Sequence, residues 1–252
     1  MEPHEYATMF EFETSYWWYK GLHSILVDIL RGLKLTEEST ILDAGCGTGQ
    51  NLVNVGKMIT SQAFGFDVSS NAAPFWPRKG LSRVCCASTN DIPYSSNTFD
   101  AVMSVDVLEC EGVDETKALS ELVRVLKPSG YLILVVPAYD WLLSEEHHRA
   151  VRASRRYTRS RVKSLLNGHQ VRVLRVTHLF ASLLPVVAAY RIALPLLQSR
   201  KTESPRSELR PLHPALNNFL YQLVSLENLL LRKTDLPFGS SIMAVARKVT
   251  GA

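Results

Sequence analysis

The chain has 252 residues, 46% of them hydrophobic and 21% charged, with a formal net charge of +4. That is enough for one large domain, or one domain with an insertion, around a sizeable core; with no internal repeat or low-complexity tract, it excludes a disordered or repeat-built protein. No charged segment followed by an apolar run opens the chain, so no secretory signal is expected; Cys46, Cys85, Cys86 and Cys110 lack metal-ligand spacing and read as reduced cytosolic thiols.

The first forty residues are unusually aromatic: Tyr6, Phe10, Phe12, Tyr16, Trp17, Trp18 and Tyr19 fall within fourteen positions. Leu22, Ile25, Leu26, Ile29, Leu30 and Leu33 then recur at helical spacing and predict an amphipathic helix. Ile41 to Gly49 reads as a short buried strand running into a glycine-rich turn, with Leu52, Val55, Met58 and Ile59 marking the helix behind it. Glycines at alternate positions let the backbone turn tightly and let a ligand approach the main chain. The helix N-terminus offers free N–H groups suited to a carboxylate or phosphate. Phe64 to Val68 is a second apolar run, and its Asp67 stands 18 residues beyond Gly49. In strand–loop–helix–strand units an acid at this place commonly accepts hydrogen bonds from ribose hydroxyls. The spacing Gly45-x-Gly47-x-Gly49 differs from the fingerprint expected for a dinucleotide.

Between Asp67 and Asp100 the pattern gives one helix, weakened by Pro74 and Pro77, and a third strand near residues 81–87. Strand four, Phe99 to Val105, leads into Asp106-Val107-Leu108-Glu109-Cys110. From Asp114 the spacing of Leu119, Leu122, Val123 and Leu126 is helical, and Pro128 and Gly130 end it. Tyr131 to Pro137 is almost continuously apolar, as a strand buried on both faces should be. Ligands of open α/β sheets sit beyond the carboxyl ends of the strands, so residues 138–148 should face a substrate. Tyr139 and Trp141 are candidate contacts there. His147 and His148 are candidate general bases, and adjacent histidines point to different sides, so at most one would act. Consecutive residues such as Glu145 to His148 rarely converge on one ion, and no metal is assigned.

The run Leu42-Asp43-Ala44-Gly45-Cys46-Gly47-Thr48-Gly49, with Asp67 after it, resembles the S-adenosylmethionine site of class I methyltransferases. The resemblance continues in order through Ile92-Pro93-Tyr94, Asn97-Thr98-Phe99-Asp100, Val105 to Glu109, and Arg124-Val125-Leu126-Lys127-Pro128-Ser129-Gly130, covering roughly residues 40 to 136. It implies an α/β, doubly wound, mostly parallel seven-stranded sheet with an antiparallel last strand. It also implies S-adenosylmethionine as cofactor and S-adenosylhomocysteine as product. The implied cofactor residues are Asp43, Gly45, Cys46, Gly47, Gly49, Asp67, Val68, Ser88, Thr89, Asp106 and Val107. Two positions depart from the family. Ser88 stands where many members carry an acid for the adenine amine, and Cys110 stands where many carry a histidine. Asp106, Tyr139 and Tyr19 are reserve bases. Tyr16, Trp17, Trp18 and Tyr19 either fill the junction between helix and sheet or cap the cofactor end, where a sulfonium would gain cation–π attraction.

Nine basic side chains, Arg149, Arg152, Arg155, Arg156, Arg159, Arg161, Lys163, Arg172 and Arg175, occupy 27 residues with no acid among them. They read as a solvated helix face, as a site for an anionic substrate or lipid headgroup, or as a nucleic-acid surface. Arg155, Arg156 and Tyr157, with the Tyr16–Tyr19 and Val136–Leu142 segments, resemble a type 11-like bacterial methyltransferase subgroup often found with glycan, glycolipid or secondary-metabolite pathways. After a strand near residues 170–177, about sixty residues precede the last strand, Ser240 to Arg247. The expected plan is a cap at 1–38, a cofactor-binding core at 39–177, a helical insertion at 178–237 and a completing strand at 238–252. The insertion is a substrate lid or lies on a membrane surface, since Pro185, Arg191 and Pro195 argue against a span. Its second helix, Leu216 to Leu230, serves core packing or a homodimer face. The expectation is methyl transfer to an oxygen or nitrogen of a small or lipid-linked, anionic acceptor, in the cytosol or at a membrane surface. The alternatives are an RNA methyltransferase and a catalytically silent cofactor-binding scaffold.

Overall fold

A computed structural model describes residues 1–143, 150–185, 188–189, 209 and 211–249. Its frame is a seven-stranded sheet with strand order β3-β2-β1-β4-β5-β7-β6. The strands are β1 (Ile41–Ala44), β2 (Ala63–Asp67), β3 (Val84–Cys86), β4 (Phe99–Val105), β5 (Leu126–Pro137), β6 (Val171–Leu179) and β7 (Ser241–Lys248). β7 runs antiparallel between β5 and β6; the other pairs are parallel. The carboxyl ends of β1 to β6 therefore open on one edge, where the glycine turn also lies.

Helices cover both faces. On one, α2 (Trp17–Gly32) buries Leu22, Ile25, Leu26 and Leu30 against Ile41, Met103, Ile133 and Met243. On the other, α4 (Glu115–Val125) and α5 (Arg159–Asn167) bury Leu119, Leu122, Val162 and Leu166 against Leu132, Leu134 and Ala244. Asp114 starts α4 by accepting the Thr116 and Lys117 N–H groups at 3.0 Å, satisfying donors that the first turn leaves open. α6 (Pro214–Leu231) lies on α2 so closely that a Cβ on Gly21 would sit 2.5 Å from Val224 Cγ1. Asp28 ties the pair by accepting from Asn228 and Arg232 at 2.6 and 2.9 Å. One face of α6 is thus core packing, while Leu216, Phe219, Leu226 and Leu230 on the rest of its surface are exposed.

Three expectations change. The helix after β2 is replaced by two 3₁₀ turns, Ala73–Phe75 and Pro77–Lys79, because each proline removes a backbone donor that a continuing helix needs. β5 starts at Leu126, since the chain passes from α4 directly into pairing with Phe99 and extends through Pro128. β6 runs to Leu179, so His178 belongs to the sheet and not to an insertion. Leu183 is buried in the core; residues 190–208 of the expected insertion lie outside the described residues. Among the described residues no helix is long and apolar enough to cross a membrane.

Candidate cofactor and acceptor site

The turn after β1 is set by three left-handed glycines, with φ of 83°, 52° and 89° at Gly45, Gly47 and Gly49. Side chains are excluded as well as strained here: a Cβ on Gly45 would lie 2.3 Å from Val107, and one on Gly49 2.4 Å from Leu81. α3 (Gln50–Met58) begins immediately after the turn, so its free N–H groups face the same edge. Asp67, at the carboxyl end of the adjacent β2, accepts Gly47 N–H at 2.9 Å and Ser69 N–H at 2.9 Å. Beneath the turn Asp43 is fully buried, and neither carboxylate oxygen has a hydrogen-bond partner among the described residues. Burial pushes its carboxyl up to about 7 against the opposing influence of Asn51, with the nearby Asp67 adding to the rise. A glycine cradle, an acid at the second strand end and an unsatisfied acid below fit a ligand that carries ribose and a positive charge.

α1 (Pro3–Phe12) lies across this cradle, within the cap expected at 1–38 but ahead of the Tyr16–Tyr19 segment expected to form it. Tyr6 donates to Asp67 Oδ1 at 3.1 Å, and Met9 Sδ would be 3.0 Å from a Cβ on Gly47. Just beyond the helix, buried Glu13 accepts the Thr48 hydroxyl at 2.5 Å and pairs with Lys79. Trp76 donates Nε1–H to the Gly47 carbonyl at 2.9 Å. The aromatic quartet divides. Trp17 and Trp18 pack on Phe180 and fill the junction, and Tyr16 meets Phe12 and Trp17. Tyr19 faces inward, where burial and then the charges of Glu13, Asp106 and Glu5 raise its phenol.

The next two strand ends hold residues in strained backbone: Asp106 after β4 with φ 52°, and Tyr139 after β5 with φ 58°. Burial lifts the Asp106 carboxyl to about 7 although Arg156 opposes it. Burial and then Asp106 push Glu109 up as well. Tyr139 is sandwiched between Trp141 and His178, with ring centroids 5.7 and 5.6 Å away. Its hydroxyl is 3.1 Å from His178 Nε2, while Nδ1 lies 3.3 Å from the Leu236 carbonyl. A carbonyl only accepts, so Nδ1 carries the proton and Nε2 accepts from Tyr139. Burial, and secondarily Arg159, lowers the His178 pKa while the Leu236 carbonyl opposes this, which favours the neutral ring. His178 was missed because the strand was expected to end at residue 177, which left it as the first residue of the insertion, whereas β6 carries it at its carboxyl end.

Other expected site residues fall elsewhere. His147 and His148 lie outside the described residues. Val107 and Cys46 are buried against the turn, Thr89 is buried, Ser88 Oγ accepts the Asn90 N–H, and Val68 is 73% exposed at the rim. Tyr157, expected at the substrate, is a core residue at 1% exposure; its backbone pairs with Pro137 and Tyr139, which locks the segment after β5. Arg155 binds the Val113 carbonyl and Glu115, and buried Arg156 binds the Ala138 carbonyl. Arg152, Arg161 and Arg175 pair with Glu2, Glu115 and Asp235. The basic run is therefore largely spent within the fold.

Residues 42–134 match the family model described as a methyltransferase domain. That match, with this sheet order, shows a methyltransferase domain of the class I, Rossmann-like, S-adenosylmethionine-dependent type within the chain. It is 36% identical over 118 residues to MJ0638, an uncharacterised protein of Methanocaldococcus jannaschii, covering 47% of this chain and 49% of that one. It is 35% identical over 108 residues to tRNA (carboxymethyluridine(34)-5-O)-methyltransferase of Arabidopsis thaliana, covering 42% of this chain and 26% of the relative. The chain thus spans half or less of the length of these relatives. Geranyl diphosphate C-methyltransferase from Streptomyces coelicolor A3(2), solved with S-adenosylhomocysteine, superposes with a TM-score of 0.57 at 15% identity, covering 90% of this chain and 79% of the other, and so shares the fold.

Proposed function

We propose that the protein transfers a methyl group from S-adenosylmethionine to an oxygen or nitrogen of a small or lipid-linked acceptor. The observation that carries this reading is the left-handed Gly45–Gly49 cradle joined to Asp67 by the Gly47 N–H bond. Bound there, S-adenosylmethionine would supply an electrophilic methyl group. Asp67 would take its ribose hydroxyls, the turn and the start of α3 would meet its carboxylate, and Asp43 would balance its positive charge. Tyr139 would receive the acceptor's proton at its hydroxyl oxygen as its own proton passes to His178 Nε2, and the Leu236 carbonyl would hold the resulting imidazolium through Nδ1–H. Calorimetric titration with S-adenosylmethionine and with S-adenosylhomocysteine tests the reading: micromolar binding of both, roughly −8 kcal/mol, is expected, and a folded protein that binds neither overturns it.

RNA methylation is the second reading, favoured by the tRNA-modifying relative. The internal pairing of Arg155, Arg156, Arg161 and Arg175 counts against a continuous basic groove. Acceptor turnover that falls steeply between about 50 and about 200 mM salt would move the assignment to RNA. The cytosol is our proposed location, supported by four free cysteines. The exposed Phe219 and Leu226 support contact with a lipid surface; flotation with anionic vesicles, lost in Phe219→Ser, is the expected result, and no flotation of the unaltered chain removes it.

A further inference from the structure

Asp67 is the residue that the proposed function assigns to the cofactor ribose, yet it already receives three donors. Two are local backbone N–H groups of Gly47 and Ser69; the third is the Tyr6 hydroxyl, delivered by α1 from 61 positions away. Tyr6 and a ribose present the same chemistry to the carboxylate, an O–H donor at hydrogen-bond length. Asp67 and the burial of Tyr6 both keep the phenol protonated, and so able to donate. Met9 closes on Gly47 from the same helix, at the main-chain surface that a ligand must approach.

The attachment of α1 combines a small apolar contact, Tyr6 with Cys46, Leu52 and Trp76 and Phe10 with Phe75 at 4.9 Å between ring centroids, with polar anchors at its two ends. Of its ten residues only Glu5 and Tyr6 are buried. Its start is held by the Glu2 N–H on the Ala150 carbonyl at 2.9 Å and by a Glu2–Arg152 ion pair at 3.0 Å, in which Arg152 is largely exposed. Its far end is followed by Glu13 on Thr48 and Lys79. A segment with two of its ten residues buried opens at lower free-energy cost than the sheet beneath it, whose strand β1 is buried throughout.

We propose that α1 is a gate on the cofactor site, latched by the Tyr6 hydroxyl on Asp67, and that a ribose-bearing ligand binds only after this latch releases. The inference rests on the assignment of the cofactor site. A gated site has an apparent affinity reduced by the fraction of molecules that are open. When opening precedes binding, the observed association rate levels off at high ligand concentration, at the opening rate.

The test uses the full chain, S-adenosylhomocysteine as probe, calorimetry for affinity and stopped-flow tryptophan fluorescence for rates. Tyr6→Phe keeps the ring in its cluster and removes only the latch. It should bind roughly ten- to a hundredfold tighter, the worth of about one hydrogen bond to a carboxylate, and reach a higher rate plateau. Glu13→Gln, which loosens the second attachment, should shift the plateau in the same direction. Weaker or unchanged binding by both variants, with association rates linear in ligand, overturns the gate while leaving the cofactor assignment standing. Failure of the unaltered chain and both variants to bind, each with a native circular-dichroism spectrum, overturns the cofactor assignment and the gate with it.

Discussion

Asp67 and Asp43 are both buried acids at the cradle, but they differ in their hydrogen-bond partners. Asp67 is satisfied by three donors, so replacing it leaves buried N–H groups unpaired. Asp67→Ala should weaken S-adenosylhomocysteine binding by about 1–3 kcal/mol, and unchanged calorimetric affinity would remove it from the site. Asp43 has no such donors, and its carboxyl rises to about 7. Between the ordinary carboxylate range near pH 4 and about pH 7, the folded chain holds a proton on Asp43 that the unfolded chain has lost. Stability from this group is therefore full below that window and declines as pH rises through it. Thermal melts of Asp43→Asn should show a flatter decline from pH 5 to pH 8 than the unaltered protein; an identical slope would contradict the assignment. At the other strand end, Tyr139→Phe removes the group that links acceptor to His178. Once a turnover assay is in place, the expected result is a loss of kcat on the order of a hundredfold, with cofactor affinity unchanged. Equal loss of cofactor binding would make Tyr139 structural.

Elements with a strong local period were legible in the sequence. α2 follows its leucine spacing, β4 has the expected bounds, and the glycine turn lies where its residue types demand; α6 forms where expected, but Leu216, Phe219, Leu226 and Leu230 of the expected face are exposed and Val224, Asn228 and Leu231 are buried instead. What escaped was long-range pairing. Arg155 and Arg161 share Glu115, more than forty positions back, so a charge count within one segment overstated the basic field. Tyr6 stood among seven clustered aromatics, and nothing local distinguished a hydroxyl aimed at Asp67 from a ring filling a junction. His178 escaped because the strand was expected to stop one residue before it, while pairing with β7 extends β6 to Leu179. The packing of α2 on α6 offers a direct check at this scale. Gly21→Ala places a Cβ against Val224, and denaturant unfolding should show about 1–3 kcal/mol of lost stability from overpacking. Gly32→Ala, where open space surrounds the position, should show no such loss.

Across the whole molecule, the polar groups gathered at the carboxyl edge are strained, buried or left without partners, while the sheet interior is apolar. Asp106 and Tyr139 hold positive φ, and among the described residues Asp43 and Glu109 keep carboxylate oxygens without a hydrogen-bond partner. Such local costs persist where surrounding structure over-determines them, and here the apolar clusters on both sheet faces do so. One consequence concerns synthesis. β6 ends at Leu179, but its neighbour β7 begins only at Ser241, and β7 is also the strand that joins β6 to β5. As the chain leaves the ribosome, the left half of the sheet can form while two hydrogen-bonding edges on the right await a strand not yet made. That interval exposes unpaired edges to wrong neighbours, so the emerging protein depends on whatever shields β5 and β6 until the last strand arrives between them.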